Sequence, residues 1–85
     1  MEALKGWQMK DLKDLAAKAG GRVLVCGSSD EAFAKAKDLG ESVRLYKVRG
    51  EEAYYLALPD KGEENTRILQ EMNEKTALEF EEITP

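Results

Sequence analysis

The longest apolar run in the chain, Ala53-Tyr-Tyr-Leu-Ala-Leu58, lies between Gly50-Glu51 and Pro59. β-prone residues framed by a tight-turn signal and a residue without an N–H read as a strand. Val43-Arg-Leu-Tyr-Lys-Val-Arg49 precedes the turn and alternates in the same manner, so the two segments predict a hairpin. On its first arm Val43 and Leu45 fall on one side, with Arg44, Tyr46 and Val48 on the other. On the return arm Tyr54, Leu56 and Leu58 share one face, and Tyr55 and Ala57 the other. The run is far below the roughly 20 residues of a membrane span, and no membrane association is expected.

The flanking sequence builds outward from this hairpin. Leu12, Leu15, Ala16 and Ala19 recur at helical spacing over about Met9 to Ala19, and Gly20-Gly21 supplies the stop. Trp7 and Met9, at the entrance, are expected to pack. Arg22-Val-Leu-Val-Cys-Gly27 reads as a buried strand. Ser28-Ser29-Asp30-Glu31 is a capping box for a helix that presents Ala32, Phe33, Ala36 and Leu39 on one face and stops at Gly40. Beyond Pro59, Asp60-Lys-Gly-Glu63 offers a second capping box before a helix over Gly62 to Asn73, with Ile68, Leu69 and Met72 inward. Thr76 to Ile83 alternates again, Leu78 and Phe80 one way, Glu79, Glu81 and Ile83 the other.

An 85-residue chain is too short for two ordinary domains, and no internal repeat or linker divides it. Residues 1–85 are read as one domain, with an N-terminal helix (1–20) and a βαββαβ core (21–83). That order predicts an α+β fold: a ferredoxin-like two-layer sandwich with an extra N-terminal helix. Both core helices would then cover one sheet face, with the first and third strands central.

Chemistry is sparse. The chain has no His, the commonest general base and metal ligand. Its one cysteine, Cys26, lies in an apolar run and reads as a packed thiol. A lone Cys, together with an N-terminus that lacks the apolar core of a signal peptide, points to a reducing cytoplasm. Gly27-Ser28-Ser29 lacks the Lys and glycine spacing of a phosphate-binding loop. Glu51-Glu52, Glu63-Glu64 and Glu81-Glu82 are adjacent only in sequence, and strand neighbours point to opposite faces. No catalytic residue, cofactor or metal site is therefore expected, and the chain is read as no enzyme.

Charge narrows the partners. Residues 1–50 carry ten basic and seven acidic side chains, whereas residues 51–85 carry three basic and ten acidic ones. An acidic third argues against nucleic acid and suits a protein with a basic surface. Tyr46, Tyr54 and Tyr55 could stack bases on a sheet, but the aromatic-glycine signature of RNA-binding sheets is missing. The uncovered sheet face is expected to show Arg44, Tyr46, Val48, Tyr55, Ala57, Glu79, Glu81 and Ile83. Of these, Arg44, Tyr46, Tyr55, Glu79 and Glu81 are the candidate partner-binding residues, because interfaces favour aromatic centres with charged rims. A second copy of the chain could dock on the same open face.

One stretch resembles a known family. Asp30-Glu-Ala-Phe-Ala-Lys-Ala-Lys-Asp-Leu39, then Ser42-Val-Arg-Leu-Tyr-Lys47, Ala53-Tyr-Tyr-Leu-Ala-Leu58 and Ile68-Leu-Gln-Glu-Met72 is similar to the C-terminal domain of MecA-type adaptor proteins. That domain has an LYxY…YYLxL hairpin between two such helices. The family's N-terminal substrate-binding region has no counterpart here, and Asn73 stands where it has Tyr or Gly. The resemblance implies an adaptor that docks on a Clp-type AAA+ unfoldase. The expected function is thus a non-enzymatic, adaptor-like protein-interaction module. The alternative is a small ferredoxin-like regulatory domain that dimerises and binds a metabolite.

Overall fold

A computed structural model describes residues 4–40, 42–51 and 53–84; the side chain of Leu39, assigned above to a helix face, and Glu52 lie outside that description. The elements are α1 (Gly6–Lys18), β1 (Arg22–Val25), α2 (Ser29–Ala36) with a 3-10 turn (Lys37–Leu39), β2 (Val43–Val48), β3 (Tyr54–Pro59), α3 (Glu64–Thr76) and β4 (Phe80–Ile83). The fold is a small α+β domain with one four-stranded antiparallel sheet and three helices.

The sheet order is β1-β3-β2-β4. The central pair is therefore the hairpin β2–β3, and β1 lies at an edge instead of the centre. In the ferredoxin-like order the last strand would lie beside the first; here β4 pairs with β2. The layering follows from this order by geometry. Both crossovers, β1 to β2 and β3 to β4, step the same way across the sheet from strands that run in opposite directions. Crossovers of one hand must then land on opposite faces. Accordingly α2 packs Ala32 and Ala36 with Leu24, Cys26, Leu45, Tyr55 and Ala57 on one face. The opposite face carries α1 and α3, with Leu12, Ala16 and Met72 on Tyr46, Val48, Leu56 and Leu58. Three layers replace the two-layer sandwich expected from the element order. With α1 over β1 and β3, the short exit from α3 delivers the chain to the free side of β2.

Local chemistry explains most boundaries. Gln8 Oε1 accepts from the Lys5 N–H (3.0 Å) and Gln8 Nε2 donates to the Thr76 carbonyl (2.9 Å), which starts α1 earlier than its apolar spacing suggests. That start leaves Trp7 51% exposed, not packed. A Cβ at Gly21 would collide with the Ala57 carbonyl, so only glycine lets the chain turn this tightly from α1 into β1. Ser28 Oγ accepts from the Glu31 N–H (3.2 Å) as a cap should, but Glu31 reaches Gly27 N–H in place of Ser28.

The second capping box does not form. Asp60 Oδ1 accepts from Gly62 N–H (3.1 Å), while buried Asn65 holds the loop through Lys61 N–H (2.6 Å) and the Pro59 carbonyl (3.1 Å). α3 therefore begins at Glu64. It runs on to Thr76, whose Oγ1 donates to the Met72 carbonyl (2.6 Å), and Ala77 closes it in the left-handed region (φ 58°). The last strand is correspondingly shorter than its alternation predicts.

Candidate functional site

Register decides where the sequence-predicted residues stand. Tyr46 faces Leu56 across the hairpin, and Leu45 faces Ala57. Directly opposed residues share a face, so Arg44 and Tyr46 belong with Leu56 and Leu58, under α1 and α3. Tyr55 and Ala57 belong to the other face, under α2. Tyr46 is 2% and Tyr55 3% exposed. Arg44 bridges to Asp60 at 3.0 Å on the rim of the core. Glu79 and Glu81 are exposed at the far edge of the sheet. The five candidates thus occupy two faces and one edge, and they do not form a common surface.

Burial also sets the chemistry of the ionisable groups. Desolvation pushes the Tyr46 phenol above its ordinary range, against the opposing hydrogen bonds from Arg44 and Asn65. The Arg44 guanidinium is raised by its hydrogen bond to Tyr46 and then by the Asp60 carboxylate. The Cys26 thiol is raised by desolvation, with Lys35 acting in the opposite sense. A raised pKa leaves Cys26 a poor nucleophile near neutrality. Among the described residues no group of His, Cys, Asp and Glu could hold a metal ion. No described helix is long and apolar enough to cross a membrane.

The sheet edges remain. The Arg49 N–H donates to the Glu79 carbonyl (2.8 Å), which fixes the phase of the β2–β4 ladder. Leu45–Ile83 and Lys47–Glu81 are then the directly bonded pairs. The N–H and C=O groups of Phe80 and Glu82 point away from β2, and no group among the described residues bonds to them. Beside this edge, the outer flank of α3 and the start of β4 enclose a groove of about 390 Å³. Leu69 and Phe80 are its apolar lining residues. Thr66, Gln70 and Asn73 of α3 line it as well, together with Arg49 and Glu79, which form an ion pair at 3.4 Å.

The β1 edge differs. The Cys26 N–H donates to the Ala53 carbonyl, so the backbone groups of Val23 and Val25 face outward. Lys35 Nζ already donates to the Val25 carbonyl at 3.4 Å. A lysine laid over an outward carbonyl blunts an edge. β4 carries Glu81 and Glu82 beside its edge, and among the described residues no lysine or arginine is laid over its outward carbonyls.

Glu79 and Glu81 were legible as candidates in the sequence; Phe80, Glu82, Leu69 and Asn73 were not. The available signal was the adjacent carboxylates Glu81 and Glu82, which put a charge on each face of Phe80-Glu-Glu-Ile83, a placement that an edge strand accommodates readily. No protein-family model matches the chain, and no curated protein or solved structure matches it either.

Proposed function

We propose that the domain is a non-enzymatic, adaptor-like protein-interaction module that engages a basic protein partner along the β4 edge. The observation that carries this reading is the conjunction at one place of a strand edge unpaired among the described residues, a groove that exposes Leu69 and Phe80 among polar side chains, and edge carboxylates. Exposed edges recruit extended segments through main-chain hydrogen bonds, and adjoining pockets select their side chains. Acidic side chains steer basic partners toward the edge and against acidic ones. A reducing cytoplasm suits the free Cys26 thiol. The MecA-like hairpin would make the partner a Clp-type unfoldase. That hairpin is the sheet centre, however, so the resemblance supports a shared scaffold more than a shared surface.

The alternative regulatory domain draws on an open cleft of about 410 Å³ beside α2, lined by Phe33, Val43 and Lys37 among others. Its dimer could not form through an open sheet face as expected from the sequence, because helices cover both faces of the sheet.

The test is affinity capture with the wild-type chain and a Glu82→Pro variant as baits. The Glu82 N–H faces outward, so proline there removes an edge donor without breaking the β2 ladder. Proteins retained by the wild type and lost by folded Glu82→Pro support the reading. Retention of the same proteins by both, or of none by either, rejects it.

A further inference from the structure

We propose that β4 accepts an extended segment of a partner protein as an antiparallel fifth strand, and that the segment reads basic–basic–apolar from its N- to its C-terminus. This rests on the interaction-module reading above and gives it a recognition code.

The code follows from the phase of the edge. Every pairing in the sheet is antiparallel, and antiparallel pairing is slightly the more stable per residue. Phe80 and Glu82 offer the outward backbone groups, so the residues placed opposite them would exchange both ladder bonds with β4. An antiparallel chain meets Glu82 first, then Glu81, then Phe80. Residues directly opposed share a face. The third residue of the segment would lie beside Phe80 on the α3 side, at the groove that Leu69 and Phe80 line. An apolar side chain fits there.

The first residue would stand next to Glu82 on that same side, and the second next to Glu81 on the α2 side. Strands lie about 4.8 Å apart, within reach of a lysine or arginine for a neighbouring carboxylate. Two cations near these carboxylates stand inside the sheet: Lys47 is opposite Glu81, and Arg44 acts on Glu82 while paired to Asp60. An incoming strand would meet the carboxylates from the free side, where no described strand lies beside β4. Charge complementarity thus favours a basic peptide segment over a second β4 edge, which would oppose carboxylate to carboxylate.

The probe is a short fluorescein-labelled peptide with Lys-Arg-Leu at its centre among Ser, Thr and Gly, titrated with the full chain by anisotropy. Binding is expected to weaken about tenfold with Glu81→Lys plus Glu82→Lys, the size of two exposed charge pairs reversed. An otherwise identical peptide with Glu-Glu-Leu should then prefer that variant. N-methylation of the leucine amide, which would face β4, should abolish binding. N-methylation of the arginine amide, which would face away, should leave it unchanged. Equal effects of the two methylations would overturn strand addition, and equal binding of Leu-Arg-Lys would overturn the order of the code. If no peptide binds while Glu82→Pro still loses captured proteins, the code fails and the interaction-module reading stands. If both experiments fail, both fall.

Discussion

The two faces of the sheet are filled by different kinds of side chain. Under α1 and α3 the buried positions are mostly large: Leu12, Tyr46, Val48, Leu56, Leu58 and Met72, with Ala16 the one small side chain of that cluster. Under α2 they include Ala32, Ala36, Cys26 and Ala57, with Leu24, Leu45 and Tyr55 around them. Alanine lets the short α2 approach the strands closely, but each alanine removes little apolar area from water. Burial stabilises at about 25 cal/mol per Å², so the α1/α3 face supplies most of the driving force. The α2 face contributes tight fit more than area.

If that division is right, truncation should be costly on one face and enlargement on the other. Leu56→Ala, fully buried on the α1/α3 face, should lose about 2–5 kcal/mol in urea unfolding. A loss under about 0.5 kcal/mol would break the comparison, since that is the range of surface sites. On the α2 face Ala32→Leu should destabilise by about 1–3 kcal/mol through overpacking, measured in the same way. A stabilised Ala32→Leu would show that α2 stands off the sheet.

Tyr46 tests the polar margin of the larger core. Its folded pKa is raised, so the folded state holds the phenolic proton more tightly than the unfolded chain. The resulting stability is complete below the unfolded value of about 10 and is lost as pH rises through the folded value. Wild type should therefore lose stability in alkaline solution more steeply than Tyr46→Phe. Parallel stability–pH curves above about pH 10 would count against burial of the phenol.

Cys26 reports on the weaker face. It should react slowly with a thiol reagent in the folded protein and quickly in denaturant. Labelling that exceeds the rate permitted by global unfolding would mean that α2 opens on its own, which would sharpen the contrast between the faces.

How much of this was legible in the residues depended on range. Alternation and stop signals located the hairpin, the three helices and β4, because they act within a few residues. The pairing of faces did not follow. Tyr46 and Tyr55 lie on opposite arms, and a shift of one residue in register exchanges every face assignment. Strand order was equally silent: nothing in Phe80-Glu-Glu-Ile83 specifies β2 over β1 as its neighbour. Asn65 looks like one more polar residue at a helix start, yet it is buried and ties Pro59 to Lys61. The β4 edge could have been suspected from its charges, whereas its groove exists only because α3 lies to one side of it.

The central position of β2 and β3 also bears on how the molecule assembles. They are joined by a short turn, so half of the sheet can pair at small loop-closure cost. β1 and β4 can then add only to the outer sides of that hairpin. A nucleus built on residues 43–59 would make core substitutions there slow refolding, while Phe80→Ala should mainly hasten unfolding, as stopped-flow chevrons can show. The strand proposed to offer its edge to a partner would then dock after the hairpin, so a bound partner would act as a brake on unravelling.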